Sequence, residues 1–233
     1  MNVYAVKISD ISEEKIDKVC ILIDPKKRYK IEKLINKKDK IRTLIGEILI
    51  RTLIIKELGI TNRNITFEKT EFGKPYLKTH CKFQFNISHS GDFVVCVIDD
   101  NPIGIDIEEI KEIEYKEISK NLFTLSEFEY IVKNNSKTSL SKFYDIWTLK
   151  ESYIKCLGEG LVKLLKSFCI NLDNDGDIKI GTQNEGKDYM FNRVDIDINY
   201  KCAIYSLNKE ISNSVTMINQ NSLISEYLKI SIE

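Results

Sequence analysis

Two carboxylates spaced two residues apart, Asp106 and Glu108, are the side chains of this sequence best suited to chemistry. They lie in the segment IGIDIE, residues 103–108, where isoleucines alternate with other residues as in a β-strand. Alternate side chains of a strand share a face, with Cα atoms about 6.5–7 Å apart, so Ile107 between them would face the core. Two such carboxylates can bind magnesium, which prefers oxygen ligands and often also contacts substrate phosphates. The same pattern is typical of a strand with one solvated polar face.

A second segment, WTLKESYIKCLGEG, predicts a helix that adds to this chemistry. Trp147, Glu151 and Lys155 are spaced four residues apart and therefore lie on one side of the helix. Glu151 would supply a third carboxylate near the metal, and Lys155 a cation for phosphate. A glutamate followed four residues later by a lysine is also an ordinary surface ion pair, and the spacing alone leaves both interpretations open.

Two further segments could bind phosphate. In NISHSG, His89 lies in a predicted turn, where Ser88, Ser90 and backbone N–H groups add donors. A lysine-rich segment at residues 26–42, together with Lys74, offers point charges. An exposed turn histidine and a solvated helix face are the alternatives.

The elements that must position these residues begin with a mixed first half. The sequence predicts a strand at 2–8, an amphipathic helix at 39–58 that stops at Gly59, strands at 83–88 and 93–99, and a turn at 89–92 between those strands. Gly73 and Pro75 in EFGKPYL predict a loop or an edge.

The second half continues in the same mixed order after the strand at 103–108. Thr124 and Glu127 form a capping-box pattern that begins a short helix to Val132. The later predictions are a polar connector at 133–142, a helix at 139–157 that ends before Gly158 and Gly160, a hairpin or loop at 173–188, strands at 190–198 and 200–207, and a tail from Ser212 with a strand and a short helix. Strands and helices without a regular βαβ repeat predict an α+β fold.

Composition excludes several classes of protein. The 233 residues contain 35 Lys plus Arg and 35 Asp plus Glu, so the net charge near zero argues against a protein that mainly coats nucleic acid or anionic membrane. Six scattered cysteines and two histidines make a zinc site improbable. The start of the sequence lacks a signal-peptide pattern, and no apolar run reaches the roughly 20 residues of a membrane helix. These features predict a soluble, reduced, cytoplasmic protein.

The order of these segments resembles one known family. A basic segment followed by FGKPYL, FNISHSG, IGIDIE and WTLKESYIKCLGEGL is similar to the pattern of the phosphopantetheinyl transferases, specifically their surfactin-type (Sfp-type) branch, over nearly all of residues 1–210. The resemblance implies an α+β fold built as a pseudo-dimer of two similar halves with the active site at their junction. The implied halves are residues 1–102 and residues 103–233, and the second half would carry the metal ligands and dock the carrier protein.

The resemblance also implies the site residues. Magnesium, or manganese in its place, would be bound by Asp106, Glu108 and Glu151. Coenzyme A, the implied substrate, would lie in the cleft between the halves and contact Lys27, Lys30, Arg42, Lys74, Pro75, Tyr76, Ser88 and His89. His89 would hold its 3′-phosphate and Lys155 would reach its pyrophosphate. Glu151 and Lys155 are the implied catalytic pair, with Glu151 acting as the base or only as a metal ligand.

The implied reaction moves the 4′-phosphopantetheine arm of coenzyme A onto a serine of an apo acyl or peptidyl carrier protein. The partner would be a small acidic helical protein that docks on residues 110–128, and a fused pseudo-dimer would act as a monomer. The pathway would be nonribosomal peptide, polyketide or fatty acid synthesis. The competing hypotheses are a non-catalytic coenzyme A or nucleotide-binding module, against which three intact carboxylates argue, and a nucleic-acid-binding protein that uses the basic segment.

Overall fold

The computed structural model describes residues 1–133, 136–158, 165–172, 178–181, 190–207 and 214–231. Its helices are α1 (Glu13–Cys20), α2 (Pro25–Glu32), α3 (Lys37–Leu58), α4 (Tyr115–Leu122), α5 (Leu125–Val132), α6 (Ser136–Leu157) and α7 (Gln220–Ile230), with a 3₁₀ turn at Asn62–Asn64. Its strands are β1 (Asn2–Lys7), β2 (Phe67–Lys69), β3 (Pro75–Leu77), β4 (Gln84–Ser90), β5 (Phe93–Asp99), β6 (Ile103–Glu109), β7 (Cys169–Leu172), β8 (Ile178–Gly181), β9 (Met190–Arg193), β10 (Tyr200–Ser206) and β11 (Val215–Asn219).

The first half is a four-stranded sheet covered by helix α3. The strand order is β11-β1-β5-β4, with β1 parallel to β11 and the other neighbours antiparallel. Helix α3 packs between this sheet and α1 and α7, which explains why 12 of its 22 residues are buried. The Asn36 side chain caps its start, and Gly59 ends it with φ at 65°, a conformation that suits a residue without Cβ. The predicted helix at 39–58 is confirmed.

The second half is a three-stranded antiparallel sheet, β6-β10-β9, covered by helix α6. Helices α4 and α5 pack against α6, and the predicted capping box of Thr124 and Glu127 begins α5. A fully buried ion pair joins α5 to α6, because Lys150 Nζ lies 2.8 Å from Glu127 Oε1. Lys150 also donates to the carbonyls of Leu165 and Phe168, so one buried ammonium holds residues 165–168 against α6.

The two halves meet through their sheets. A hydrophobic cluster between them contains Val3, Ala5 and Val95 from the first half and Ile105 and Ile107 from β6. Each half therefore places a 22-residue helix, α3 or α6, on the outer face of a small sheet. This arrangement confirms the predicted α+β class and fits a pseudo-dimer of two similar halves.

The C-terminal segment returns to the first half. Strand β11 pairs in parallel with β1, and α7 packs on α3. The strand and helix predicted for the tail are thus confirmed, and the partner of β11 lies 212 residues earlier in the chain, since Val215 pairs with Val3. The first sheet is completed only by the last part of the sequence.

Several sequence predictions differ from the structure. His89 and Ser90 end strand β4 instead of lying in a turn, because the hairpin to β5 is as tight as Gly91–Asp92. Helix α6 begins at Ser136, within the predicted polar connector, because Leu140 packs into the second-half core and packing overrides a weak local preference. Strand β9 is shorter than predicted, and helices α1, α2 and α4 were not predicted. Gly160 and most of the predicted hairpin at 173–188 lie outside the described residues.

Two general properties of the chain bear on its environment. All six cysteines are free thiols. No described helix combines the length and the apolar character that crossing a lipid bilayer requires.

Candidate active site

Strand β6 presents its two carboxylates to helix α6 and its isoleucines to the other face. Ile105 and Ile107 are fully buried between the sheets. Asp106 is only 3% exposed, and Glu108 is half-buried. The predicted alternation is therefore confirmed, and the alternative of a solvated polar face is wrong, because α6 covers the face that carries Asp106.

Helix α6 brings Glu151 and Lys155 to these carboxylates. Lys155 Nζ lies 2.6 Å from Asp106 Oδ1 and donates to Ser88 Oγ at 2.9 Å. Glu151, one turn earlier on α6, is 4% exposed. The interpretation of Glu151 and Lys155 as an ordinary surface ion pair is therefore wrong, since Lys155 pairs across the junction with a buried aspartate. Trp147, on the same side of α6, packs in the second-half core.

The electrostatics of this cluster are unbalanced. Among the described residues, the buried oxygens Asp106 Oδ2 and Glu151 Oε1 have no hydrogen-bond partner. Desolvation by burial and the charge of Asp106 raise the pKa of Glu151 to about 7. The same two causes raise the pKa of Glu108 to about 6. Within the described residues, Lys155 is the cation in direct contact with this group of three carboxyls, so the cluster carries more negative than positive charge.

This donor set fits a hard divalent cation. Within the described part of the chain, no three His, Cys, Asp or Glu side chains form a ready-made metal site. Asp106 and Glu151 nevertheless each hold a buried oxygen that lacks a donor, and oxygen is the ligand atom that magnesium and manganese select. Asp106, Glu108 and Glu151 are thus the residues whose chemistry suits such an ion.

Removing the charge of Glu151 is expected to stabilise the metal-free protein in a pH-dependent way. The native state raises the pKa of this carboxyl from 4.5 to about 7, so its ionisation lowers the stability of wild type as pH rises through that interval. Glu151→Gln lacks this contribution, whereas both proteins retain the one from Glu108. At pH 8 the variant should be more stable by up to about 3 kcal/mol, or roughly 10 °C in melting temperature.

Thermal melts in chelator at pH 5 and pH 8 check this expectation. The exposed glutamate Glu129 of α5 provides a matched control, because Glu129→Gln removes the same charge from solvent and should show no such trend. A melting-temperature difference between Glu151→Gln and wild type that is equal at the two pH values would contradict the prediction.

A cleft opens beside the carboxylate cluster. This junction cleft is lined from the first half by Lys74, Pro75 and Asn86, and from α6 by Glu151 and Lys155. It therefore places both implied catalytic side chains on a surface that a ligand can reach.

A second, basic cleft adjoins the first and shares Pro75 with it. It brings together Lys27, Arg42 and His89, with Glu47 on its wall. Arg42 donates to the Gly91 carbonyl and pairs with Asp39, yet its buried Nε has no partner among the described residues. Two cations, a histidine and a free guanidinium N–H are suited to a phosphate group.

The other implied coenzyme A contacts are placed differently. Lys74 Nζ donates to the backbone carbonyls of Ile103 and Cys156, and burial lowers its pKa. Ser88 is buried and donates to Asp106 Oδ1 at 2.9 Å. Lys30 is exposed on α2 and lines neither cleft, and the Tyr76 hydroxyl donates to Glu68.

Sequence reasoning missed several residues of the two clefts. Glu47 is 7% exposed, and its Oε2 atom lies 3.5 Å from Lys27 Nζ. Its position in a predicted helix did not indicate that it would be buried beside a lysine. Asn86 was also missed. The alternation of Asn86, Ser88 and Ser90 along a strand was the available signal, since it places three polar side chains on one face.

Both halves of the chain match models of known protein families. Residues 10–100 match the family model described as 4′-phosphopantetheinyl transferase, N-terminal, and residues 102–205 match that of the 4′-phosphopantetheinyl transferase superfamily. One solved structure, a holo-(acyl-carrier-protein) synthase from Bacillus anthracis in complex with CoA (3′,5′-ADP), aligns with 45% of this chain and 93% of its own. Its TM-score of 0.37 and 21% identity are too low to support a conclusion.

Curated relatives match nearly the whole chain. The 4′-phosphopantetheinyl transferase Sfp of Bacillus subtilis (strain 168) is 32% identical over 96% of this chain and 100% of its own length. The 4′-phosphopantetheinyl transferase gsp of Aneurinibacillus migulanus is 36% identical over 88% of this chain and 86% of its own. The chain therefore belongs to the Sfp-type 4′-phosphopantetheinyl transferase family.

Proposed function

We propose that this protein transfers the 4′-phosphopantetheine moiety of coenzyme A to a serine of an apo carrier protein, giving the holo-carrier protein and 3′,5′-ADP. This is the holo-[acyl-carrier-protein] synthase type of reaction, EC 2.7.8.7. The observation that carries the proposal is the buried cluster of Asp106, Glu108 and Glu151 with Lys155, next to a basic cleft. Breaking a pyrophosphate bond requires both an acceptor for a hydroxyl proton and neutralisation of phosphate charge.

We place coenzyme A in the two adjoining clefts. In this proposal, Lys27, Arg42 and His89 hold the 3′-phosphate, and the unpartnered Arg42 Nε supports that role. Pro75 lies between the clefts and contacts the nucleotide, while Lys155 in the junction cleft reaches the pyrophosphate. Contacts of coenzyme A with Lys30, Lys74, Tyr76 and Ser88 remain predictions. The contact with Lys74 requires its side chain to move, because its ammonium donates to two backbone carbonyls.

Asp106, Glu108 and Glu151 would hold magnesium, or manganese in its place. When bound, the ion would supply positive charge to the pyrophosphate as its bond breaks. The unpartnered oxygens of Asp106 and Glu151 and the raised pKa values of Glu108 and Glu151 support this assignment, because each reflects missing positive charge. In the metal-free protein Lys155 pairs with Asp106, and its side chain is long enough to turn toward a phosphate once the ion is bound.

The transfer forms one phosphorus–oxygen bond and breaks another. The oxygen of the carrier serine bonds to the β-phosphorus of coenzyme A, and the bond from that phosphorus to the bridging oxygen breaks, so 3′,5′-ADP leaves with the bond electrons. Glu151 accepts the serine proton. The pKa of about 7 belongs to the metal-free carboxyl and suits a base near neutral pH, but a bound cation would lower it, so the roles of base and metal ligand compete.

The partner is proposed to dock on residues 110–128. Ile113, Leu122 and Leu125 are exposed apolar side chains of this segment, the last 72% exposed, among lysines and glutamates. Phe123, by contrast, is buried, and Tyr115 and Ile118 pack on the second-half core. The exposed apolar residues support docking of a helical partner. The segment holds three lysines and four glutamates, so the acidic character of the partner remains a prediction from the family resemblance.

Replacing Leu125 with serine is expected to raise the KM for the carrier protein about tenfold and to leave the KM for coenzyme A unchanged. The change is at the surface, so the melting temperature should stay near that of wild type. Steady-state kinetics with each substrate varied in turn measure both constants. Ile198, 92% exposed outside the segment, gives the control Ile198→Ser, and equal effects of the two variants would rule out docking on this segment.

The remaining assignments follow from this function. We propose halves at residues 1–102 and 103–233, with the qualification that β11 and α7 pack on the first half. We also propose a monomer that acts in the cytoplasm, which its free thiols favour, and that serves nonribosomal peptide, polyketide or fatty acid synthesis.

Intact mass spectrometry of an apo carrier protein, incubated with this chain, coenzyme A and magnesium, tests the function. The expected result is a gain of about 340 Da that is absent when a chelator is added. If several unrelated carrier proteins gain no mass although the chain binds coenzyme A tightly, the transferase hypothesis is wrong, and the alternative of a non-catalytic coenzyme A-binding module is favoured.

A further inference from the structure

Strands β4 and β6 face each other across the junction and are joined by side chains. They belong to different sheets, yet three alternate side chains of β4 accept hydrogen bonds from three alternate backbone N–H groups of β6. The pairs are Ile105 N to Asn86 Oδ1 at 2.9 Å, Ile107 N to Ser88 Oγ at 3.4 Å, and Glu109 N to Ser90 Oγ at 3.1 Å. We call Asn86, Ser88 and Ser90 the polar ladder.

Both serines of the polar ladder also contact the carboxylates. Ser88 Oγ donates to Asp106 Oδ1 at 2.9 Å, and Ser90 Oγ donates to Glu108 Oε2 at 2.8 Å. A backbone N–H can only donate, so each hydroxyl accepts from it and directs its single proton to the carboxylate. One hydroxyl thus fixes both the backbone and the side chain of the strand that carries the metal-binding residues.

The two carboxylates depend on their serines to different extents. Asp106 is also held by Lys155, which contacts Ser88 as well. Glu108 receives its one side-chain hydrogen bond within the described residues from Ser90. Without that bond, the half-buried carboxylate would be free to rotate about its side-chain torsions.

We infer that Ser90 is a positioning residue that orients Glu108 for the metal ion, an inference that rests on the proposed function. Ser90 acts through the carboxylate and touches no reacting atom. Groups that orient a metal ligand typically change metal affinity 10- to 100-fold when removed, because the ligand must then be ordered at the moment of binding. Asn86 accepts from the Ile105 N–H but donates to neither carboxylate, so within the polar ladder it joins the halves without orienting a metal ligand, although its side chain also lines the junction cleft.

Titration of the full chain with Mn²⁺, followed by the electron paramagnetic resonance signal of the free ion, tests the inference without turnover. Ser90→Ala should weaken Mn²⁺ binding by about tenfold or more. Ser90→Thr keeps the hydroxyl and should remain within about threefold of wild type. Asn86→Ala removes the hydrogen bond from the Ile105 N–H and leaves both carboxylates with their serine donors. It should therefore lower the melting temperature and leave Mn²⁺ affinity within about threefold of wild type.

Three outcomes would overturn the inference: unchanged Mn²⁺ affinity in Ser90→Ala, equal loss in Ser90→Ala and Asn86→Ala, or no Mn²⁺ binding by wild type. Equal loss would mean that loosening the junction, and not orienting Glu108, controls the affinity. The mass assay reports separately on the proposed function. If wild type binds Mn²⁺ but transfers no phosphopantetheine, the proposed transferase function is wrong. The role of Ser90 in Mn²⁺ binding is then still decided by the Mn²⁺ titration.

Discussion

Replacing Asp106 with asparagine is expected to lower the rate of phosphopantetheine transfer about 10³-fold while the protein stays folded. Asparagine keeps the size and can still accept from Ser88 and Lys155, so the local packing should persist. The negative charge that pairs with Lys155, and that would attract the proposed metal ion, is lost. Loss of that charge also removes one cause of the raised pKa values of Glu108 and Glu151.

The rate is measured by the mass of the carrier protein at timed intervals, with magnesium and coenzyme A in excess. Asp100, exposed in the turn between β5 and β6, provides the control, since Asp100→Asn makes the same change of charge away from the site. A transfer rate of Asp106→Asn within tenfold of wild type would show that Asp106 does not serve the metal or the chemistry.

Replacing Gly104 with alanine should disrupt both stability and activity. A Cβ atom at this position would lie 2.5 Å from Cys156 N and closer still to the Ser152 carbonyl oxygen. Both contacts are with the backbone of α6, which cannot rotate away as a side chain would. The helix must therefore move off β6, at a cost of about 3 kcal/mol or more in unfolding free energy. Because α6 carries Glu151 and Lys155, a displacement of about 1 Å should also reduce transfer roughly 10²-fold.

Gly46 of α3 is the control, because it is a glycine at the other helix–sheet contact, where it lies on the helix and not on the strand. Its added Cβ would meet Ile87 and Val94 at 3.5 and 3.6 Å, which is ordinary van der Waals contact. Gly46→Ala should therefore keep or raise the melting temperature, since alanine favours a helix interior by about 1 kcal/mol over glycine. Thermal melts of both variants decide the matter, and a Gly104→Ala protein as stable as wild type would show that α6 does not need this close approach.

The sequence by itself determined the local features of this protein. The alternation in IGIDIE is enough to place Asp106 and Glu108 on one face, because the period of a strand is two residues. The capping box of Thr124 and Glu127 and the stop at Gly59 are set by hydrogen bonds within a few residues, so both were predictable. The order of the short motifs indicated the family.

Local patterns failed where packing competes with them. The lysine-rich segment at 25–32 forms helix α2 and gave no clear amphipathic signal, because only Ile31 of that helix is buried. The start of α6 reads as a polar connector but is helical, since Leu140 is taken up by the second-half core. In both cases, a few long-range contacts decide the structure of a segment whose own preference is weak.

Only the tertiary structure decided how the site is assembled. The partner of Lys155 could have been Glu151 on its own helix, but it is Asp106, 49 residues away. The serines of β4 read as phosphate donors, yet they bind the backbone and the carboxylates of β6. These contacts arise because a hydrophobic cluster presses the two sheets together, and buried polar groups must then find partners on whichever strand lies opposite. Periodicity fixes the face on which a side chain lies, whereas the packing of the two halves determines what it meets.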